Sequence, residues 1–274
     1  LMIGSEGTLG IITELTLKVI PAPKSVISLI IPYENLEDCI ATVPKFFMNH
    51  LAPQALEFME KEVVMDTEKF LGKQVYPKEM EGTEVGAYLL ATFDGNSEEQ
   101  LEDIVEQAAE VVVEAGAIDV LISDTEEREE SIWKARGAFL EAIKGSTTYM
   151  DEVDMVVPRS RVNEMVTYLH DLHNEIDIRI KSFGHAGDGN LHAYILKDDL
   201  SDEEWEKRMS AAMEKIYQKA HELEGQVSGE HGIGYAKKPY LRESLPEKNL
   251  DLMNGIKKVF DPKNILNPHK VAQR

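Results

Sequence analysis

The 274 residues carry 50 acidic and 29 basic side chains, a net charge of −21, and 43% of them are hydrophobic. That size and mixture suit a globular chain with a substantial core, as one large domain or two smaller ones. The charge argues against nucleic acid or an anionic membrane as partner, and no apolar run or secretory pattern is long enough to suggest a span or leader.

The chain opens on Leu1-Met2-Ile3-Gly4, which reads as the interior of a motif, so a preceding segment is expected. Glycines at 4, 7 and 10 lead into the alternating I-I-T-E-L-T-L-K-V-I of 11–20, a turn entering a strand that Pro21 and Pro23 end. Such glycines permit close backbone approach to a ligand, and equally a plain tight turn. A strand is expected over 25–31 and an amphipathic helix over 35–48, with Leu36, Ile40, Val43 and Phe47 near helical spacing. The lone cysteine, Cys39, excludes an internal disulfide, fits a reducing, cytoplasmic setting and reads as core filler. A strand over 53–58, a helix over 59–71, an exposed polar loop over 72–86 and a buried strand over 85–93 follow. The spacing then predicts a helix over 97–115, capped by Asn96 or Ser97 and closed by Gly116. A strand over 118–122 and one long helix over 125–144 complete the first half.

The second half repeats the order. Strand 154–157, helix 159–174, strands 179–184 and 191–196, helix 203–224 ended by Gly225, and helix 245–260 after Pro246 are expected. The implied fold is α+β: an antiparallel sheet flanked by helices, in two ferredoxin-like halves, with a substrate site on the open face. No repeat is visible in the residues themselves, so the duplication is a topological expectation.

Between the paired strands lies S-F-G-H-A-G-D-G-N-L-H-A-Y-I, residues 182–195. Asp188-Gly189 is a strong two-residue type I′ signal, and a turn there would set His185 directly opposite His192. Directly opposed side chains share one face with Cβ atoms ~4.5–5.5 Å apart, so the two imidazoles could close on one cation. Glu230, in S-G-E-H-G, offers a carboxylate oxygen; two histidines and one carboxylate suit Zn²⁺, Fe²⁺ or Mn²⁺. Its neighbour His231 is expected to diverge from Glu230 and to be free as a general base. Ordinary turn and core histidines remain the alternative at this point.

G-H-A-G-D-G-N-L-H, followed by S-G-E-H-G-I-G, resembles the C-terminal half of FAD-linked 2-hydroxyacid dehydrogenases. These are of the glycolate oxidase D-subunit and D-lactate dehydrogenase type, in the vanillyl-alcohol oxidase fold group. The opening G-S-E-G-T-L-G-I-I-T-E and the closing D-P-K-N-I-L-N-P-H-K fit as well. The resemblance implies residues 1–24 as the end of an FAD-binding domain, 25–225 as a substrate domain, and 226–274 as a return to the flavin domain. It places Gly4, Ser5, Gly7, Gly10, Ile11 and Ile12 against FAD, with Asn267 and Lys270 nearby. His269 stands where relatives have glycine, so a different local turn is expected. I-W-x-x-R, ending at Arg136, places a guanidinium fork on the substrate carboxylate. Tyr194, two residues after His192, shares its face and borders the substrate. Glu152 stands where the D-2-hydroxyglutarate enzymes present a lysine, which favours a monocarboxylate such as lactate or glycolate.

The expected function is FAD-dependent, divalent-metal-assisted oxidation of a small D-2-hydroxy acid, with His231 and Arg136 catalytic. Electrons would pass to an electron-transfer flavoprotein, an iron–sulfur subunit or a quinone-type acceptor, for which the acidic surface could serve as docking face. A metal-dependent hydrolase and a non-catalytic metal-binding docking fragment are the competing readings.

Overall fold

The structure, a computed structural model, describes residues 1–123 and 125–273. The first half runs β1 (Ser25–Tyr33), α1 (Leu36–Met48), β2 (Ala55–Glu60), α2 (Lys61–Leu71), a small hairpin of β3 (Glu79–Met80) and β4 (Thr83–Glu84), β5 (Ala87–Gly95), α3 (Glu98–Glu114) and β6 (Leu121–Ile122). It continues through α4 (Glu126–Gly137), α5 (Phe139–Gly145), β7 (Met150–Val156), α6 (Val162–Ile176), β8 (Arg179–His185), β9 (Asn190–Leu196), α7 (Asp202–Glu222), α8 (Lys238–Ser244) and α9 (Glu247–Phe260).

Seven strands pair antiparallel in the order β6-β1-β5-β2-β8-β9-β7. The first four, β6-β1-β5-β2, have the ferredoxin-like arrangement, with α2 to β4 inserted before β5. The other three, β8-β9-β7, repeat it in mirror order, and the bridge from Gln226 to Val156 occupies the place of a fourth strand. The halves join through β2 and β8, where Phe58 lies opposite Gly184. Both ferredoxin-like halves are thus present.

Strand periodicity sorts the side chains onto two faces. Leu29, Ile31, Phe58, Leu89, Leu191 and Ile195 face the main core, shared with α1, α3, α6 and α7. Ile30, Met59, Tyr88, Leu90, Phe183 and Tyr194 face the other way, under α2, α4 and α5. Helices therefore cover part of both faces, and the second layer leaves open the end of the sheet where Glu57, His185, His192 and Glu152 project.

Several local expectations change. The 125–144 helix breaks at Ala138, because Gly137 weakens the helix and Ala138 N–H donates back to Ala135 in a tighter turn. The break lets α4 present Arg136 while α5 buries Phe139, Ala142 and Ile143. Loop 72–86 is not all exposed: Tyr76 and Val85 are buried, and the Glu68 carboxylate accepts the N–H groups of Val75 and Tyr76. At the end of α7 it is Glu224, not Gly225, that takes the left-handed conformation (φ 61°). Residues 11–23 form no strand, and Ile11, Leu15, Leu17 and Val19 are exposed. Their alternation is a strand pattern with no neighbouring strand among the described residues.

The final expected helix is present as α9, the short α8 before it was not expected, and the tail after α9 is pinned by Asp261. Its carboxylate accepts from Lys257 and from the N–H groups of Ile265 (3.1 Å) and Leu266 (2.8 Å). The lysine contact first, then the backbone donors, lower the Asp261 pKa to about 2. A carboxyl depressed below its unfolded value of ~3.9 stabilises the fold above that value and loses this contribution as pH falls toward 2. Asp261→Asn is expected to melt a few degrees below the parent at pH 7, with the gap closing as both are taken to pH 2 in thermal melts.

Candidate active site

The hairpin carrying both histidines closes differently from the two-residue expectation. His185 pairs with Asn190 and Phe183 with His192, so the loop is the four residues 186–189. Of those four only Gly189 takes a positive φ (86°), which excludes the type I′ turn. Tertiary contacts select the longer loop: Gly187 N–H donates to Leu56 O (3.0 Å), and Val157 N–H donates to Gly189 O (3.1 Å). A Cβ at Gly189 would collide with the Val157 carbonyl oxygen. Gly189→Ala is therefore expected to destabilise the chain by about 2–3 kcal/mol in urea unfolding, from strain and the collision together.

The register moves by two residues, not one, so the face is kept. His185 and His192 become diagonal neighbours, with ring centroids 5.6 Å apart at 85°. Glu230 Oε1 lies 3.6 Å from His185 Nε2 and 3.3 Å from His192 Nε2. Ligands about 2.1 Å from a tetrahedral cation sit about 3.4 Å from one another, so these spacings fit a bound divalent ion. The three donor atoms all lie within 4.8 Å of each other.

Each imidazole has a carboxylate behind it, the usual support for a metal-binding histidine. His185 Nδ1 bonds Glu57 Oε1 at 2.6 Å, and that bond raises the His185 pKa against the opposing effect of burial. His192 Nδ1 is buried and lies 3.5 Å from Glu152 Oε1, an ion-pair separation without a hydrogen bond. Burial works against the charge on Glu152, but His192, the Tyr194 hydroxyl (2.9 Å) and His231 together hold its pKa below the ordinary value. Tyr194 is buried and stacks on Phe183 (5.2 Å), whose ring in turn lies 5.8 Å from that of His192.

His231 lies beside His192, outside the His185–His192–Glu230 group. Its ring stacks on His192 (5.2 Å, 24°), with Nδ1 3.8 Å from Glu152, and it is half-exposed. A carboxylate that composition does not single out explains its position. Asp154 sits opposite His192 on β7, with no exposed surface. It accepts from Ser228 Oγ (2.8 Å), from Gly229 (3.1 Å), Glu230 (3.3 Å) and His231 (2.9 Å) N–H, and from Lys237 Nζ (3.0 Å). This cradle of N–H groups folds residues 228–231 around one buried charge. A Cβ at Gly229 would overlap the Asn190 side chain, which would have to move to admit it.

Arg136 reaches the site from α4, but its Nε (3.0 Å) and Nη2 (2.6 Å) are held by Glu57 Oε2. Its guanidinium lies over the Phe183 ring at 4.6 Å. Both bonds lie on the Nε–Nη2 edge, and Nη1 stands outside them. Burial opposes the charge of Glu57, yet the bond to His185 and the charge of Arg136 lower its pKa. Glu57 is the second group that the residue pattern did not reveal.

The opening glycine segment comes to the same region through a third. Glu6 accepts from Ile233 and Gly234 N–H, both at 2.7 Å, tying 1–10 to the S-G-E-H-G-I-G loop. Ser5, Gly7, Gly10, Ile11, Ile12 and Asn267 line one surface cleft of 460 Å³, together with Met2, Ile265 and Leu266. Asn267 also bonds Glu6 O (2.8 Å). Gly4 lies in the adjoining turn, with φ 76°. His269 adopts φ 65°, the left-handed conformation that glycine takes most readily. Lys270 Nζ stands 5.2 Å from the Tyr235 ring.

Residues 22–271 match the family described as FAD linked oxidases, C-terminal domain. The chain is 68% identical over 274 residues to D-lactate dehydrogenase of Anaerostipes hadrus, covering 100% of this chain and 58% of that protein. It is 37% identical over 273 residues to the glycolate oxidase subunit GlcD of Bacillus subtilis (strain 168), covering 99% of this chain and 56% of that one. The chain therefore spans a little over half the length of these curated relatives. Among solved structures, p-cresol methylhydroxylase with substrate bound matches with a TM-score of 0.67 at 14% identity, over 93% of this chain and 54% of that one. The 4-ethylphenol oxidase of Gulosibacter chungangensis, in its isoeugenol complex, matches at 0.66 and 15% identity over 93% and 55%. Such distant likenesses show the fold, an antiparallel sheet flanked by helices. With the family match covering nearly its whole length, the chain belongs to the FAD-linked oxidases and carries their C-terminal domain.

Proposed function

We propose that this chain is the substrate-binding and cation-binding part of an FAD-linked enzyme that oxidises a D-2-hydroxy monocarboxylate of the lactate or glycolate class to its 2-oxo acid. The observation that carries this reading is the convergence of His185, His192 and Glu230 beside His231 and Arg136. The 68% identity to a D-lactate dehydrogenase supports the substrate class.

His185 Nε2, His192 Nε2 and a Glu230 oxygen would hold the divalent ion. Ser5, Gly7, Gly10 to Ile12 and Asn267 would meet the flavin. When bound, the ion supplies Lewis acidity at the substrate 2-hydroxyl, and the flavin supplies the hydride acceptor. His231, half-exposed and stacked beside His192, takes the hydroxyl proton on its imidazole. Arg136 offers its Nη1 edge to the substrate carboxylate, fixing the Cα hydrogen in one direction. Charge balance supports the arrangement: Glu57, Glu152, Asp154 and Glu230 outnumber Arg136 and Lys237, so a divalent cation offsets the excess before an anion enters. An electron-transfer flavoprotein or iron–sulfur subunit is the proposed acceptor, in keeping with the likeness to a glycolate oxidase subunit.

Glu152 sets the size of the acid. A second substrate carboxylate near it would meet a like charge, a repulsion of about 3–4 kcal/mol at ~4–5 Å near a protein surface. The complete enzyme is expected to prefer D-lactate over D-2-hydroxyglutarate by about 10²-fold or more in kcat/KM. Anaerobic mixing tests the whole reading: D-lactate should bleach the flavin, and prior chelation should prevent it. Bleaching at full rate after the metal has been stripped would overturn it.

A further inference from the structure

We propose that Glu57 is a positioning residue serving both halves of the site, with one oxygen orienting the cation-binding His185 and the other holding the carboxylate-binding Arg136. The inference rests on the active-site reading above. Glu57 is 4% exposed, deep enough that an unpaired carboxylate would cost several kcal/mol. It is paired on both sides: Oε1 with His185 Nδ1 at 2.6 Å, Oε2 with Arg136 Nε at 3.0 Å and Nη2 at 2.6 Å. An anionic acceptor at Nδ1 requires the proton on that nitrogen, which leaves the lone pair on Nε2, the atom facing Glu230. The two Arg136 bonds turn the guanidinium so that its Nη1 edge is the one left for an incoming anion. Glu57 reaches both because β2 pairs with β8 on one side and α4 lies over the same face. One carboxylate thus sets the tautomer of a ligand and the aim of a clamp.

An amide has a single acceptor oxygen, so Glu57→Gln can serve one partner and not both. If the amide oxygen stays with Arg136, the NH₂ group faces His185 Nδ1 and forces the proton onto Nε2. If it stays with His185, the NH₂ group opposes the guanidinium. Glu57→Gln leaves Arg136 buried without a counter-charge, so a second variant keeps the test independent of its stability. The paired replacement Glu57→Met with Arg136→Met removes the ion pair at no net change in charge and keeps the volume apolar, which folds usually tolerate.

The test uses the full-length flavin-loaded protein, with Zn²⁺ affinity read by chelator competition and D-lactate kinetics at saturating Zn²⁺. Glu57→Gln is expected to weaken Zn²⁺ binding about 10–100-fold. With the ion restored, kcat should return to within a few-fold of the parent while KM for D-lactate stays about 10-fold high or more. The double methionine variant should also bind Zn²⁺ at least about 10-fold more weakly. Parent-like Zn²⁺ affinity in that folded double variant would overturn the role of Glu57 and leave the active-site reading intact. A parent protein that binds no Zn²⁺ would overturn both.

Discussion

His192→Ala in the full-length protein is expected to abolish hydroxy-acid oxidation, lowering kcat/KM by about 10³-fold or more, some 4 kcal/mol of transition-state stabilisation. The same change should weaken divalent-ion binding by more than the ~10²-fold typical of losing a supporting residue, because a donor atom itself is removed. His192 is almost fully buried, between Phe183 and His231, so its deletion also leaves a cavity. A loss of about 1–3 kcal/mol in stability is expected, short of unfolding. Thermal melts and flavin absorbance separate the two effects. A folded, flavin-loaded variant with parent-like turnover would contradict the role given to His192.

The second large effect belongs to Asp154. Asp154→Ala strips the counter-charge from Lys237 and the acceptor from three consecutive N–H groups and the Ser228 hydroxyl. Breaking a buried pair in this way costs about 3–5 kcal/mol, measurable in urea denaturation. The loop bearing Glu230 and His231 should loosen with it, so activity is lost even where the variant remains folded. Burial opposes the charged form of Asp154, but the His231 N–H, the Ser228 hydroxyl and Lys237 outweigh it and hold the pKa well below the usual carboxylate value. With the folded pKa depressed, this contribution is complete above the unfolded value of ~3.9 and fades as the solution is acidified past it. The stability gap between parent and Asp154→Ala should therefore narrow below about pH 4. A gap under 1 kcal/mol at pH 7 would show that the cradle is not what holds the loop.

Much of the scaffold was legible because strand alternation is a strong local signal. β1, β5, β8 and β9 fall where the apolar pattern places them, and Ser97, one of the two expected caps, closes the start of α3. Local signals failed where distant chain decided. Asp188-Gly189 favours a two-residue turn in isolation, but Leu56 and Val157 supply partners that a four-residue loop satisfies. The His185–His192–Glu230 group survived that error because a two-residue shift preserves the face, whereas a one-residue shift would have parted the rings. Glu57 and Asp154 were invisible for a related reason. Glu57 meets His185 across 128 residues of chain, and Asp154 meets His231 across 77, through pairings that exist only once the sheet is assembled. Glu6 reaches Gly234 across 228 residues in the same manner.

The cation site is the claim on which the rest depends, and an anomalous-scattering crystal structure of the full-length protein grown with Zn²⁺ tests it most directly. One strong peak within about 2.0–2.2 Å of His185 Nε2, His192 Nε2 and a Glu230 oxygen is the predicted result. Anomalous density lying elsewhere, with these three side chains bonded only to protein, would contradict it.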